Sequence, residues 1–333
     1  MAALPQHTAA RPQLAATLAH PAVQWFLLLL AGLGLPFLVY PVLAMEMLCF
    51  ALFASAFNLL MGYAGLLSFG HAAFFGTGAY LFGYASKMLA FGPLASLACG
   101  TLAAAALGVV FGSIAIRRQG IYFAMVTLAL AQIVYFALVQ APFTGGEDGM
   151  QGIPRGMVFG MFDLQGEQTV LGQTAPWCLY LLVLVLCLAG HALIARLLAS
   201  PTGLALRAVQ DHEARARSLG LQADRIKFWV FVTSAALAGL AGAMKALVLG
   251  LASLTDAAWN MSGEVVLMTL IGGVGTLLGP AVGAFFLRYL HHALAGLGGW
   301  VTVLIGAIFV ICVLLFRRGM VGEWRAWRGA ARV

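Results

Sequence analysis

Long apolar runs without a single acidic or basic side chain make up most of this chain. Asp, Glu, Lys and Arg are absent from 12–45, 47–86, 88–116, 119–146, 168–195, 228–244, 265–287 and 289–316. A membrane-spanning helix needs about 20 mostly apolar residues. Most of these runs can therefore span, and 47–86 is long enough to do so twice. The pattern predicts an all-α polytopic membrane protein.

The runs predict eight full spans and one interrupted segment. The spans lie near 23–43, 44–61, 63–84, 94–116, 121–140, 177–198, 228–249 and 297–316. The ninth segment, 264–294, contains several glycines and a proline, which predicts a broken or re-entrant helix. We thus expect eight to ten crossings, with a membrane domain at 23–316 between an N-terminal segment, 1–22, and a tail, 317–333.

Composition supports the membrane assignment. Of 333 residues, 62% are hydrophobic and 9% are charged, whereas soluble domains carry about 25% charged residues. The net charge of +7 does not indicate nucleic acid, because the basic residues lie between spans rather than on one exposed face. No phosphate loop, catalytic motif or metal motif is present, so we expect neither enzymatic activity nor a metal or cofactor.

The distribution of charge predicts the orientation. Loop 199–227 carries five basic residues and the tail carries five arginines, whereas loop 141–176 carries four acidic residues and one arginine. Basic short loops stay in the cytoplasm. Both termini and loop 199–227 are therefore expected there, with loop 141–176 outside. Two full spans already separate loop 199–227 from the tail, so 264–294 must re-enter from outside or cross as two half-spans.

Two glycine-rich segments, 62–70 and 272–280, point to a route through the membrane. Broken helices are tolerated where protein or a watery cavity satisfies their backbone, and transporter sites lie at such breaks. The similar glycine spacing in opposite orientations would fit an inverted repeat, although chance glycine pairs are common among 40 glycines. The candidate path residues are Gly62, Gly65, Ser68 and Gly70 in the first segment and Gly272, Gly273, Gly275, Gly279 and Pro280 in the second.

Three polar residues within apolar runs, Asn58, His71 and Thr127, are further path candidates. Intramembrane ionisable residues are costly and indicate a cavity or a partner, so His71 could serve a pathway or gating role. The simpler interpretation is a neutral histidine that hydrogen-bonds a neighbouring helix. Polar side chains such as Asn58 and Thr127 also join membrane helices.

Four charged residues lie near the predicted outer ends of spans. We expect the Lys245 stem to bury while its ammonium reaches the membrane surface. Glu46, Asp256 and Glu264 are expected to be solvated. Because no ladder of carboxylates at helical spacing is present, the chain offers no proton relay.

Loop 199–227 predicts a short amphipathic helical segment. Ser200 can cap a helix that has Pro201 in its first turn, and Gly220 can end it in the left-handed conformation. Apolar and basic residues are mixed between these ends. A helix that rests on anionic membrane lipid and a docking element for a cytoplasmic partner both fit this pattern.

Five sequence motifs occur in a characteristic order. They are NLLMGYAGLLSFGHAAFF at 58–75 followed by GAY at 78–80, GIYFAMVTL at 120–128, TGGEDGMQGIP at 144–154, GLALRA at 203–208 with ARSLG at 216–220, and SGE at 262–264 leading into LIGGVGTLLGP at 270–280. This series resembles LivM-type permeases, the membrane subunits of branched-chain amino-acid ABC importers. The resemblance runs from about 58 to 322, some four-fifths of the chain.

The resemblance implies a type II ABC importer-like bundle in a bacterial inner membrane. It implies a LivH-type permease subunit, two cytoplasmic ABC ATPases and an extracytoplasmic solute-binding protein as partners. The family's ATPase-docking loop corresponds to 199–227, although Glu213 and Ala214 before Gly220 match its motif only loosely. The candidate coupling residues are Gly203, Arg207, Glu213, Arg217 and Gly220.

The implied substrate is a branched-chain or related hydrophobic amino acid. Urea, short amides and other small acids remain alternatives with the same architecture. An ion-coupled secondary transporter is the alternative from another class, because sodium sites built from backbone carbonyls leave no sequence motif.

Overall fold

The computed structural model describes residues 29, 32–118, 120–158, 162–164, 166, 168–170, 173–315 and 319–323. Helices dominate this part of the chain. They are α1 (Pro41–Ala64), α2 (His71–Lys87), α3 (Pro93–Ala115), α4 (Ile121–Gln140), α5 (Trp177–Ala199), α6 (Pro201–Asp211), α7 (Glu213–Ser218), α8 (Ala223–Leu249), α9 (Trp259–Gly272), α10 (Gly279–Leu294) and α11 (Trp300–Leu315). The prediction of an all-α polytopic membrane protein is confirmed.

Five of these helices, α1, α3, α4, α5 and α8, are long and apolar enough to cross a membrane. The helices α2, α9, α10 and α11 have 17, 14, 16 and 16 residues. Most of the first part of the predicted span 23–43 lies outside the described residues; within the described part, 32–38 are helical and 41–43 already belong to α1. The largest boundary difference concerns the predicted span 63–84, whose helix begins only at His71, because Gly65 ends α1 with φ +68°.

The core of the bundle consists of α1, α2, α3 and α8, which pack closely together. Small residues allow α2 and α8 to approach backbone to backbone. A Cβ at Gly78 would collide with the carbonyl oxygen of Gly239, and a Cβ at Gly242 would collide with that of Phe75. Such close helix contacts are typical of membrane proteins. Helices in lipid lack a hydrophobic driving force for association and depend on close packing, which small interface residues allow.

Two helical hairpins turn at the same end of the bundle, which we call the glycine end. The first turn segment, 65–70, joins α1 to α2, and the second turn segment, 273–278, joins α9 to α10. A Cβ at Gly62 would lie 2.6 Å from the backbone nitrogen of Gly275, so the second turn segment packs against the last turn of α1, the end at which the first turn segment begins. The opposite orientation expected for an inverted repeat is therefore wrong, because both hairpins run to the glycine end and back.

Loop 141–176 covers the opposite end of the bundle, which we call the loop end. It contains 3₁₀ turns at Pro142–Thr144 and Gly146–Asp148 and short strands β1 (Met150–Gln151), β2 (Met157–Val158), β3 (Phe162–Asp163), β4 (Gln168–Val170) and β5 (Gln173–Ala175). Strand β1 pairs with β6 (Leu251–Ala252), just beyond α8. The Lys87 ammonium donates to the Gln151 carbonyl (2.9 Å), which fastens the loop to the end of α2.

Candidate translocation and coupling site

Asn58 fastens the second turn segment to α1. Its side-chain nitrogen donates to the Thr276 carbonyl (2.9 Å), and its side-chain oxygen accepts from the Gly275 backbone nitrogen (2.9 Å). The asparagine is 2% exposed. Since a buried, unpaired backbone group is costly, this double hydrogen bond allows an irregular turn to pack inside the bundle. Asn58 thus joins helices, as one of its two interpretations predicted.

The Thr276 hydroxyl makes two further hydrogen bonds within the second turn segment and its junction with α10. The Thr276 hydroxyl donates to the Gly273 carbonyl (2.8 Å) and accepts from the Gly279 backbone nitrogen (3.1 Å). Pro280 stands in the first turn of α10, where a missing N–H is tolerated. Gly319, near the C-terminus, packs directly against this turn segment. An added Cβ at Gly319 would lie 2.6 Å from the Gly273 nitrogen.

The first turn segment is held by side chains from other helices. The Phe69 backbone nitrogen donates to the Thr127 hydroxyl on α4 (3.2 Å), and the Gly70 nitrogen donates to the Ser68 hydroxyl (3.1 Å). The Ala72 nitrogen donates to the Ser262 hydroxyl on α9 (3.0 Å). Thr127 and Ser68 therefore support the backbone of this segment, and their predicted place along a path remains a prediction.

An apolar cavity of about 430 Å³ lies between the first turn segment and α4. Its lining residues are Gly65, Leu66, Leu67 and Phe69 from the turn and Gly120, Ile121, Ala124, Met125 and Leu128 from the start of α4. The exposed Ile121 and Met125 side chains leave this recess open at the surface of the chain. Of the candidate path residues, Gly65 borders this cavity.

His71 lies inside the bundle, with 0% exposure. Its Nε2 is 2.9 Å from the Ser234 hydroxyl, which itself donates to the Ala56 carbonyl (2.5 Å). Because a serine hydroxyl has a single hydrogen, His71 Nε2 must be the donor. The ring packs edge-on against Phe57, at a centroid distance of 5.0 Å. This geometry supports the histidine as a hydrogen-bonded link between helices, and a role in the path remains a prediction.

Loop 199–227 contains two short helices, α6 and α7, divided at His212. Ser200 occupies the N-cap position, but its hydroxyl donates to the Leu197 carbonyl (2.6 Å). The predicted side-chain cap is therefore wrong. Gly203 packs so tightly that a Cβ would lie 2.6 Å from the same carbonyl oxygen. Gly220 has φ +85°, which confirms the predicted left-handed glycine, although it follows α7 rather than one continuous helix.

An ion network locks α7 onto the start of α8. Glu213 pairs with Arg217 and with Lys227, each at 2.7 Å, and Arg217 also pairs with Asp224 at 2.7 Å. The hydrogen bond from Lys227, followed by that from Arg217, lowers the pKa of the Glu213 carboxyl below its usual value. The hydrogen bond to Glu213 likewise raises the pKa of the Arg217 guanidinium.

Helix α6 contacts the end of α1 directly. The Gln210 side chain donates to the Gly62 carbonyl (3.0 Å), and the Arg207 guanidinium lies 6.0 Å from the centre of the Tyr63 ring. Loop 199–227 and the paired turn segments are thus one contiguous structure. The sequence pattern predicted Arg207 as a coupling residue but not Gln210, because a single glutamine in a polar helix gives no indication of its partner.

Buried ion pairs lie toward the loop end. Lys245, 8% exposed, pairs with Asp256, 1% exposed, and Arg288 pairs with Glu46. Both cations face the Phe50 ring, at 5.8 Å for Lys245 and 4.3 Å for Arg288. The expectation that Lys245 reaches the surface and that Glu46 and Asp256 are solvated is therefore wrong. The sequence did contain an indication of these pairs, because residues of opposite charge interrupt the apolar runs and charges buried in a membrane must pair.

Glu264, the fourth of these charged residues, lies in the second turn of α9 rather than at a solvated end. Its side chain is half-buried, and its Oε2 atom is enclosed without a hydrogen-bond partner among the described residues. The expectation of a solvated carboxylate is thus also wrong for this residue.

Comparison with known proteins identifies the family. Residues 42–314 match the model of the branched-chain amino acid transport system permease component. The high-affinity branched-chain amino acid transport system permease protein LivM of Escherichia coli strain K12 is 29% identical over 282 residues, which cover 79% of this chain and 65% of that protein. The LivM protein of Salmonella typhimurium shows the same identity and coverage.

A more distant similarity covers part of the chain. The autoinducer 2 import system permease protein LsrC of Klebsiella pneumoniae is 33% identical over 141 residues, or 40% of each chain. No solved structure matches significantly. The chain spans 65% of the length of the LivM relatives. On the match over 42–314, the chain belongs to the family of branched-chain amino acid transport system permease components.

Proposed function

We propose that this chain is the membrane-spanning permease subunit of an ATP-driven importer for branched-chain or related hydrophobic amino acids. A LivH-type permease would complete the path, two cytoplasmic ABC ATPases would supply energy, and an extracytoplasmic solute-binding protein would deliver the substrate. Family membership and the printed function of the LivM relatives support the proposal. The observation that carries the mechanism is the hydrogen bond between Gln210 and Gly62.

The mechanism is alternating access driven through α6. ATP binding closes the ATPases and displaces α6, which pulls on the Gly62 carbonyl through Gln210 and on Tyr63 through Arg207. Asn58 passes this movement from α1 to the second turn segment. The ion network around Glu213 keeps α7 rigid against α8 while the force is transmitted. Gly203, Arg207, Glu213, Arg217 and Gly220 are the proposed coupling residues.

The proposed orientation places the glycine end in the cytoplasm of a bacterium and the loop end outside the inner membrane. Exposed aromatic side chains mark both ends, as expected at membrane interfaces. Tyr122 and Trp229 lie near the glycine end, and Tyr40, Trp259 and Trp300 lie toward the loop end. Both termini would be cytoplasmic, α9 and α10 would cross as two short helices, and loop 141–176 would receive the binding protein.

The proposed path runs between the two permease subunits, past the first turn segment and the exposed side of α4. The cavity beside Gly65 is its cytoplasmic part. A zwitterion with an apolar side chain needs helix ends and backbone groups rather than a strong net charge. The wall of this path is supported by the side chains of Asn58, Ser68, His71 and Thr127. The second turn segment acts as its hinge, through the glycines from Gly272 to Gly279 and Pro280.

Reconstitution of the complete importer in proteoliposomes tests the proposal. Arg217→Glu removes two ion pairs, and Gly220→Pro is incompatible with φ +85°, since proline requires a negative φ. This pair of substitutions should abolish ATPase stimulation by the loaded binding protein while the chain remains inserted. The control is Arg225→Glu, which loses one exposed hydrogen bond to Gln222.

Two results would contradict the proposed function. Normal stimulation in the Arg217→Glu, Gly220→Pro variant would show that loop 199–227 is not the coupling element. Uptake by this polypeptide alone in vesicles depleted of ATP would identify an ion-coupled secondary transporter instead. Ligand binding by the solute-binding protein distinguishes amino acids from urea, short amides or another small acid.

A further inference from the structure

Glu264 differs from the other carboxylates of the membrane helices and their connections. Glu46 pairs with Arg288, and Asp256 pairs with Lys245. In the described part of the chain, Glu264 has neither an ion pair nor a hydrogen bond, although its Oε2 atom is enclosed. A carboxylate within a membrane helix is costly unless it meets a partner or water. Two cations of the same bundle, Lys245 and Arg288, already pair with Asp256 and Glu46.

The position of Glu264 links it to the first turn segment. It lies two residues beyond Ser262, whose hydroxyl accepts a hydrogen bond from the Ala72 backbone nitrogen at the beginning of α2. Two residues on a helix are separated by about 3 Å along its axis. The carboxylate is therefore near the level at which the first turn segment enters α2, inside the bundle's span rather than at its loop end.

The side of α9 that carries Glu264 borders open space. Asn260, Gly263, Glu264 and Leu267 follow the spacing of one helical face, and all four are exposed or half-buried. An added Cβ at Gly263 would meet nothing within 4 Å. Contact of this face with lipid would leave the Glu264 charge uncompensated in hydrocarbon. The face must therefore adjoin either water or a cationic group that lies outside the described residues of this chain.

We propose that Glu264 binds the ammonium group of the permeating amino acid as it passes between the permease subunits. This inference rests on the proposed function and adds a specificity determinant to its path. The carboxylate accepts charge-assisted hydrogen bonds from the ammonium, and Leu267, one turn further along α9, offers an apolar surface for the substrate side chain. A solute without a cationic group gains nothing from this contact.

Transport by the complete reconstituted importer, with leucine as the probe, tests Glu264. In Glu264→Gln, leucine uptake per ATP hydrolysed should fall about tenfold or more, because hydrogen bonds between charged groups are stronger than those between neutral groups. Glu264→Asp should recover most of the uptake, since it keeps the charge. Stimulation of ATPase activity should stay unchanged in both. The control, Glu323→Gln, changes a carboxylate of the C-terminal tail, outside loop 141–176 and both turn segments, and should transport normally.

A second variant tests whether this face lines the path. Gly263→Met places a long side chain where an added Cβ meets nothing within 4 Å, and it should block uptake while assembly and ATPase activity persist. Normal uptake per ATP in Glu264→Gln would overturn the inference. Failure of Glu264→Gln to assemble with the partner permease would also overturn it, because the carboxylate would then pair with that subunit. Stimulation of the wild-type importer's ATPase activity by the loaded binding protein tests the proposed function independently of Glu264.

Discussion

The side-chain amide of Gln210 donates a hydrogen bond to the backbone carbonyl of Gly62 across 3.0 Å. Gly62 belongs to the last turn of α1, where carbonyl groups have no partner within the helix. A residue of loop 199–227 therefore provides the hydrogen-bond partner for a carbonyl at the end of a membrane helix. Movement of α6 cannot leave the end of α1 unchanged, since it must either carry the helix along or expose that carbonyl.

Replacement of Gln210 should uncouple transport from ATP hydrolysis. Gln210→Leu keeps the approximate size of the side chain and removes the donor. We expect a stability loss of about 1 kcal/mol, with normal insertion and ATPase activity but several-fold lower uptake per ATP. Paired uptake and ATPase assays in proteoliposomes measure this ratio. Gln140→Leu, at the exposed end of α4, is the control, and an unchanged ratio in Gln210→Leu would show that the hydrogen bond transmits no force.

The pair Glu46–Arg288 should show strong energetic coupling. Either Glu46→Gln or Arg288→Met leaves a largely buried charge unpaired, which costs about 3–5 kcal/mol. The double variant removes both charges and should be much less destabilised than the sum of the single variants. Thermal unfolding of the purified chain in detergent measures all four proteins. Additive losses would mean that the two side chains do not depend on each other.

Gly319 and Gly298 form a matched pair for testing the C-terminal contact. Both have positive φ, +72° and +56°, a backbone conformation that glycine adopts freely and alanine adopts only with strain. Only Gly319 contacts the second turn segment, whereas an added Cβ at Gly298 meets nothing. Gly319→Ala should therefore lower both stability and uptake more than Gly298→Ala. Equal effects in unfolding and uptake assays would contradict the contact.

The ion network of loop 199–227 should loosen in acid. The pKa of the Glu213 carboxyl is lowered in the folded protein by Lys227 and Arg217. Its stabilising effect is thus fully present above the ordinary carboxyl pKa, and it is lost as the pH falls through the lowered value. The protection of residues 213–227 against hydrogen exchange, relative to the intrinsic amide rate at each pH, should decrease as the pH falls below the ordinary carboxyl pKa. Glu213→Gln should show low protection at every pH, and a pH-dependent loss of protection that persists in this variant would have another origin.

Much of the architecture followed from local pattern. Charge-free runs located the long helices because burial in lipid excludes charge, and positional preferences located Gly220 because glycine adopts positive φ without strain. Glycine-rich stretches indicated both turn segments for the same reason. These inferences needed only residues close together in the chain.

The tertiary contacts of the site could not be predicted in the same way. Gln210 and Gly62 are separated by 148 positions, and Glu46 and Arg288 by 242. The inverted relation between the two glycine-rich segments was also misjudged, because glycine spacing indicates a turn but not the orientation of one turn relative to the other. Ser200 kept its predicted position but not its hydrogen bond, since the Leu197 carbonyl competes for its hydroxyl.

The shortness of α9 and α10 affects the lipid around them. Helices of 14 and 16 residues measure about 21 and 24 Å, whereas the hydrocarbon layer is about 30 Å thick. A bilayer adapts to a short helix by thinning locally. Head groups and water would then approach this hairpin from both leaflets, so a polar solute beside it would face a lower dielectric barrier than anywhere else around the protein.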